Sequence, residues 1–318
     1  MDTQSKIRQY VVLFDGTGNT ADIEKEITNV VKLYNLIAPK AINPPPFYEK
    51  GVGTRVGEKV PGNVWGNGIS ERLAEAYRWL TDQINDHSIV SDSFQIYVFG
   101  FSRGAYIARV FCWLLYQCGI PDDANKCEEL CHWFENRKYD GLQKRMKEDN
   151  HIPVNEIEML GLWDTVKSAA FDDYNDDELA TNVKKAYHAM SIDELRAKFP
   201  VLRFKQDERV HEVWFAGIHS DIGGGYTDDA GLSNITLKWM IENADEHNLK
   251  CKFEGIAENP GGTRHDEYNK TKWHWQGENQ RKILNGDLLH ISVRTRLEAP
   301  VDYIPLTEIP QEPNYVAY

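Results

Sequence analysis

Short apolar runs alternate along this chain with amphipathic segments of helical period. Apolar residues dominate at 10–14, 94–99 and 157–163, and each run is followed by Gly or Asp. Continuous runs of this length are typical of strands buried on both faces of a parallel sheet. Segments 25–37 and 69–84 instead carry apolar residues every three or four positions, which indicates helices. The alternation predicts an α/β protein with a mostly parallel sheet and helices on both faces.

Three polar stretches interrupt this alternation, and we expect them to be insertions in a single domain covering residues 1–318. The stretches at 121–150 and 170–205 are expected to be helical and cap-like, and the one at 251–285 is polar and contains Trp273 and Trp275. Tryptophans in a polar stretch predict either a lid or membrane-touching edge, or a small apolar cluster beneath a loop.

Composition narrows the choice of partners. The 318 residues include 36 Lys and Arg against 49 Asp and Glu, which gives a formal net charge of −13. A surface this acidic repels phosphate backbones at long range, so we expect no nucleic-acid partner. The hydrophobic fraction of 41% is ordinary for a folded protein and excludes the disordered and collagen-like classes.

Cysteine usage and the lengths of apolar runs bear on location. Five cysteines, an odd number with no C-x-x-C pair, indicate reduced thiols in a cytoplasmic protein. Polar residues 1–8 lead straight into the first apolar run, so we expect no secretory signal. The longest apolar run, 110–116, is too short to span a bilayer. Cys127 and Cys131 would share one helical face, but no second ligand pair lies nearby, and we expect no metal ion.

A candidate nucleophile follows the apolar run at 94–99. Gly100-Phe101-Ser102-Arg103-Gly104 matches G-x-S-x-G, and a long apolar helical segment begins at Arg103. This strand–turn–helix context is that of the nucleophile elbow, in which glycines let the chain turn sharply and lift the serine above the sheet edge. The alternative is an ordinary tight turn with an inert serine. We interpret Ser102 as a nucleophile.

Asp164 is the candidate carboxylate of a catalytic triad. A nucleophilic serine needs a base, and the base needs an acid that orients it. Asp164 directly follows the apolar run at 157–163, so it is expected at the carboxyl edge of the sheet, where sites of α/β proteins lie. The alternative is a turn cap, supported by the neighbouring Thr165.

His219 is the candidate base. It follows a predicted strand at 211–218 and precedes a glycine-rich loop, so it can reach over the sheet edge. His290, inside a later predicted strand at 288–293, is the alternative. Asp221 is a further candidate to orient the imidazole. The resulting chain order of serine, acid and histidine is the order of α/β-hydrolases.

Backbone amides close to the serine are candidates for an oxyanion hole. One donor in this fold class is the N–H of the residue after the nucleophile, here Arg103, and another comes from an early strand-to-helix loop. Residues 15–19 form a glycine-rich loop after the first strand, so Gly16 and Thr17 are the expected donors there. The alternative is a simple turn. Chemistry of this kind needs no metal ion and no organic cofactor.

Four motifs, taken together, resemble a known family. They are FDGTGN at 14–19, GFSRGA at 100–105, WDTV at 163–166 and GIHSDIGGGY at 217–226. The set is similar to that of an uncharacterised α/β-hydrolase domain family that includes the type VI secretion phospholipase effectors. The resemblance implies an α/β-hydrolase-like fold and a lipid esterase, with phospholipase A as the more specific expectation and with Ser102, Asp164 and His219 in the matching positions.

The same resemblance implies particular partners. An ester or lipid is the implied substrate, together with transient membrane contact. An immunity protein or the secretion apparatus are the implied protein partners. Contact-dependent secretion uses no signal peptide, so delivery to other cells is compatible with the N-terminal sequence.

Two rival classes fit parts of the sequence. Asp15-Gly16-Thr17 follows a strand as in phosphatases of the haloacid dehalogenase type, but Leu13 stands where their nucleophilic aspartate lies. A hydrolase fold can also serve as a non-enzymatic ligand-binding or assembly module, because fold alone does not fix function. We expect a serine hydrolase that cleaves carboxylic esters, with the binding module as the alternative. Reaction with a fluorophosphonate probe separates the two.

Overall fold

A computed structural model describes residues 7–16, 27–37, 44–51, 69–86, 93–136, 146, 149–167, 177–249, 251, 255–270 and 277–317. Eight described strands form one sheet in which every neighbouring pair is parallel, in the order β2-β1-β3-β4-β5-β6-β7-β8. The strands are β1 (Arg8–Phe14), β2 (Phe47–Glu49), β3 (Phe94–Phe101), β4 (Met159–Trp163), β5 (Ala186–Ser191), β6 (Val210–Phe215), β7 (Leu288–His290) and β8 (Asn314–Val316). The predicted α/β class is confirmed, and the described sheet is parallel throughout.

Helices cover both faces of this sheet. The described α-helices are α1 (Asn29–Ile37), α2 (Ile69–Ile84), α3 (Arg103–Cys118), α4 (Cys127–Glu135), α5 (His219–Gly223), α6 (Gly231–Glu246), α7 (Glu267–Lys270) and α8 (Ile291–Glu298). Side chains of β1 alternate between two apolar cores, as the pleat of a strand requires. Val12 packs in the core with α2, α3 and α4, whereas Leu13 packs in the core with α1 and α6. Burial on both faces explains the uninterrupted apolar run of β1.

The expectation of a helical insertion at 170–205 is wrong for the part that the structure describes. Strand β5 lies within that stretch, pairs with β4 and β6, and is buried along its whole length. Its polar His188 disguised it in the sequence. The structure satisfies this histidine internally, because Nε2 accepts from the Thr165 N–H at 3.1 Å and Nδ1 lies 3.0 Å from Glu212 Oε1. Residues 168–176 lie outside the described residues.

The other predicted segments differ in detail. The stretch at 121–150 contains the predicted helix, α4. The predicted strand at 288–293 is a strand only to His290, because α8 begins at Ile291 with the His290 side chain accepting from a backbone N–H at its start. Trp273 and Trp275 lie outside the described residues.

Membrane-spanning helices, disulfides and metal-ligand clusters are not found among the described residues. None of the described helices combines the length and hydrophobicity needed to cross a bilayer. All five cysteines lie in described residues and carry free thiols. Among the described residues, no group of three or more His, Cys, Asp and Glu side chains is arranged to hold a metal ion.

Candidate active site

The turn from β3 to α3 presents Ser102 in a strained backbone conformation. Ser102 has φ 58° and ψ −124°, a backbone region that residues other than glycine rarely adopt. Crowding explains the flanking glycines. A Cβ on Gly100 would lie 2.5 Å from the Gly104 carbonyl oxygen, and a Cβ on Gly104 would collide with the carbonyl oxygens of Phe14 and Asp15. The G-x-S-x-G spacing is therefore required by the close approach of the turn, the helix and β1.

Strand register brings Ser102 and Asp164 to the same edge of the sheet. Phe101 pairs with Trp163 across β3 and β4, so the next residue of each chain leaves its strand at the same level. The Ser102 N–H donates to the Trp163 carbonyl oxygen at 3.0 Å. His219 reaches this edge from the far side of β5, as the first residue of α5 after β6.

A continuous hydrogen-bonded path joins the three predicted triad residues. Ser102 Oγ lies 2.8 Å from His219 Nε2, and His219 Nδ1 lies 2.6 Å from Asp164 Oδ2. All three residues are buried, with 5%, 4% and 0% exposure for Ser102, His219 and Asp164. An ionised carboxylate accepts the Nδ1–H, which leaves Nε2 free to accept the serine proton. The arrangement can generate a serine nucleophile.

The environment of Asp164 favours its ionised form. Burial alone would raise the pKa of this carboxyl, but the Arg281 charge and the hydrogen bonds from His219 and Ser191 outweigh it and lower the pKa to about 2. Oδ1 accepts from the Ser191 N–H at 3.0 Å, and Oδ2 accepts from Arg281 Nη2 at 2.8 Å. Asp164 has φ 38°, so its backbone is also strained. Sequence reasoning missed Arg281, because it stands in a polar stretch with no pattern around it.

Aromatic rings and a second carboxylate hold His219. The ring centroids of Phe101 and Phe199 lie 4.7 and 5.0 Å from that of the imidazole. The backbone N–H of His219 donates to Glu194 Oε2 at 3.3 Å. Burial lowers the pKa of His219, and this effect exceeds the opposing one from Asp164, so the neutral base is favoured. Glu194 and Phe199 were missed because they lie in the stretch expected to be a helical insertion.

The two alternatives to the predicted acid and base lie elsewhere. His290 stacks on Phe215 with Nδ1 2.8 Å from Ser292 Oγ. Asp221 accepts from the Ile218 N–H at 3.0 Å and lies 2.5 Å from His265 Nδ1. No hydrogen bond joins either residue to Ser102 within the described part of the chain, so the path through His219 and Asp164 is the one the geometry supports.

The structure describes only some of the residues predicted to form the oxyanion hole, and the prediction of Gly16 as a donor is wrong. The Gly16 N–H donates to the Asp15 carboxylate at 2.7 Å, so this amide is already engaged and is not free for an oxyanion. Thr17 lies outside the described residues. Arg103 is the first residue of α3 and directly follows the proposed nucleophile. Its backbone amide stays the predicted donor.

Asp15 was singled out by its motif, and the structure gives it a local role. Its Oδ2 accepts from Tyr48 Oη at 2.7 Å and Thr28 Oγ1 at 2.9 Å, which ties the end of β1 to β2 and to the start of α1. Burial raises its pKa to about 6, although these hydrogen bonds and that of Gly16 oppose the shift. Asp15 orders the backbone against which Gly104 packs.

A parallel sheet of this order, with a strained serine elbow at the end of a central strand, defines an α/β protein of hydrolase fold. Residues 8–243 match the family model described as T6SS, Phospholipase effector Tle1-like, catalytic domain. The match covers more than half of the chain, and the chain belongs to this family. The resemblance stated from the four motifs is confirmed.

Individual relatives are more distant. An uncharacterized protein of Saccharomyces cerevisiae, YEL023C, is 24% identical over 230 residues, which is 62% of this chain and 33% of that protein. A crystal structure of an uncharacterized protein from Pseudomonas aeruginosa has a TM-score of 0.55 at 19% identity, over 81% of this chain and 50% of that one. A Tle1 effector bound to the VgrG spike of the type 6 secretion system has a TM-score of 0.41 at 22% identity, over 70% and 52%. This chain thus spans about a third of the yeast relative and about half of the two solved chains.

Proposed function

We propose that the protein is a serine hydrolase that cleaves carboxylic esters with Ser102, His219 and Asp164. The observation that carries the proposal is the unbroken path from Ser102 Oγ through the imidazole to the buried Asp164 carboxylate, at 2.8 and 2.6 Å. The strained backbone of Ser102 and the neutral state favoured for His219 support it further.

The proposed reaction runs in two halves. Ser102 Oγ attacks the ester carbonyl carbon while His219 Nε2 takes the serine proton, and the imidazolium then gives this proton to the leaving alcohol. Water repeats the sequence on the acyl-enzyme and releases the acid. Asp164 fixes the tautomer and stabilises the imidazolium. The Arg103 N–H, together with Thr17, binds the oxyanion, a contribution of about 3 kcal/mol for each well-placed donor.

Membership of the Tle1-like family favours a lipid as the substrate. We propose a phospholipase of the A type, which would touch a membrane transiently to reach its substrate. Synthesis in the cytoplasm, delivery to other cells, and contacts with a secretion spike or an immunity protein belong to the same proposal.

The test compares the wild type with Ser102→Ala on phospholipid vesicles and on short soluble esters. We expect hydrolysis of phospholipid by the wild type, none by the variant, and labelling of the wild type alone by a fluorophosphonate. Hydrolysis that persists in Ser102→Ala would overturn the catalytic assignment. A preference for soluble esters would make the protein a plain esterase, and an unlabelled, inactive wild type would favour a ligand-binding module.

A further inference from the structure

Arg281 is a buried cation that shares one oxygen atom with the proposed base. Its side chain is 2% exposed, and its Nη2 donates to Asp164 Oδ2 at 2.8 Å. The same Oδ2 lies 2.6 Å from His219 Nδ1. Arg281 belongs to the segment before β7, and 117 residues separate it from Asp164 along the chain. The guanidinium and the imidazole therefore lie side by side on one carboxylate oxygen.

Stability does not account for this arginine. Removing a guanidinium from water is costly, and the attraction of one carboxylate offsets that cost only if the remaining N–H groups are hydrogen-bonded. Within the described part of the chain, Nε and Nη1 of Arg281 are buried without a hydrogen-bond partner. Asp164 also has two other donors, the Ser191 N–H and the imidazole. A buried group of this kind calls for a functional explanation.

The balance of charges around His219 supplies a functional explanation for Arg281. Two carboxylates lie close to His219. Asp164 contacts the ring at Nδ1, Glu194 accepts from the backbone N–H, and the charge of each favours the protonated ring. Each also carries its own arginine, since Arg196 binds Glu194 through Nη2 at 2.7 Å and Arg281 binds Asp164. Among the described residues, the other groups against the ring are uncharged: the Ser102 hydroxyl and the phenyl rings of Phe101 and Phe199. The imidazole thus lies among two negative and two positive charges.

A triad carboxylate without a counter-charge would attract a proton to the histidine. In a buried site this attraction is strong, because the low dielectric screens it weakly. A protonated His219 could not accept the proton of Ser102, and the nucleophile would be lost as the pH falls. Arg281 offsets this attraction without displacing the Nδ1–H hydrogen bond, since both donors fit on the same oxygen.

We propose that Arg281 is a positioning residue that holds Asp164 and offsets its charge, so that His219 stays unprotonated and the hydrolysis proposed above extends into mildly acidic conditions. The inference rests on that proposed function for its activity readout only. The state of the imidazole can be measured without any turnover.

The direct test is an NMR titration of His219 in a Ser102→Ala background. We compare Arg281→Met, which removes the charge, with Arg281→Lys, which keeps it, and with Arg209→Met as the matched control. Arg209 is a partly buried arginine paired with Asp207, and it lies just before the start of β6, whereas His219 follows the end of that strand. We expect Arg281→Met to raise the His219 pKa by about one unit or more, Arg281→Lys to restore most of the original value, and Arg209→Met to change nothing.

The second readout is the pH dependence of fluorophosphonate labelling with Ser102 intact. In Arg281→Met, the midpoint of the acidic limb of the labelling rate should shift to higher pH by the same amount as the His219 pKa in the NMR titration. An unchanged His219 titration in folded Arg281→Met would overturn the inference. If Arg281→Met fails to fold, the fallback measurement is the protonation state of His219 at pH 7 in the Ser102→Ala parent. A protonated His219 there overturns the inference. An unprotonated His219, together with an Arg281→Lys variant in which His219 titrates as in the parent, supports it. A shifted titration with no labelling in any variant would refute the proposed hydrolase and leave the charge effect standing.

Discussion

Replacement of Ser102 by glycine should give a more stable fold than replacement by alanine, and both changes remove the proposed nucleophile. The reason is the backbone of Ser102, at φ 58° and ψ −124°, which glycine adopts without steric cost. The matched comparison is Ser102→Ala. Both variants lose the hydroxyl that lies 2.8 Å from His219 Nε2, but only alanine keeps the Cβ that makes the conformation strained.

The size of the effect follows from two opposing contributions. A residue other than glycine in a sparsely populated backbone region costs about 1–3 kcal/mol. Glycine gives the unfolded chain more freedom, which costs about 0.4–1 kcal/mol. The free energy of unfolding should therefore be about 1 kcal/mol higher for Ser102→Gly than for Ser102→Ala. For a chain of this size the difference in Tm is about 2 °C.

Denaturant unfolding of the two variants at pH 7, with equal m-values, measures this difference directly. The order is opposite to the usual one, in which alanine is the more stable residue, so the sign alone is informative. Both variants should be inactive towards esters and fluorophosphonate. A Ser102→Ala protein as stable as Ser102→Gly would show that the elbow is relaxed, and the argument from backbone strain would fail.

Three further outcomes are expected. Asp164→Asn should lower kcat by roughly 10⁴-fold, because an amide cannot hold the imidazole in the required tautomer. Steady-state kinetics on the wild type and the variant measure this loss, and a decrease of less than tenfold would contradict the triad. Gly104→Ala should unfold or lose several kcal/mol, roughly, since its Cβ would strike backbone oxygens, whereas Gly261→Ala, whose nearest neighbour is at 3.4 Å, should be near neutral in the same melt. Asp15 has a pKa raised by burial to about 6, so the folded state binds its proton more tightly than the unfolded chain does. Stability relative to Asp15→Asn should therefore fall by about 2–3 kcal/mol as the pH rises from 4 to 7; an equal difference at both pH values in denaturant unfolding would contradict the raised pKa.

The sequence predicts the part of the site that local patterns encode. Ser102 is marked by its two glycines, and the crowding that requires them arises within one turn of chain. Asp164 and His219 can be recognised because each comes directly after an apolar strand, and the carboxyl ends of parallel strands lie at one edge of the sheet. The register of Phe101 with Trp163 then makes the convergence almost unavoidable.

The residues that sequence analysis missed depend on distant partners. Strand β5 contains a histidine whose polar atoms are satisfied by Thr165 and Glu212, and nothing near it in the sequence says so. Arg281 acquires its meaning only from Asp164. The Gly16 amide was expected at an oxyanion, but the neighbouring carboxylate folds back onto it, a local competition that glycine-rich loops do not reveal in sequence.

The hydrogen-bonded path at the sheet edge is assembled from side chains at positions 102, 164 and 219, with the arginine at 281 completing it. Contacts separated this widely along a chain form late in folding, since long loops must close first. The serine is synthesised well before its histidine, and until β3 to β6 have paired it lacks the imidazole that the proposed mechanism requires. Regain of reactivity after denaturation should therefore lag behind the return of helical signal, so that chemistry itself reports the completion of the fold.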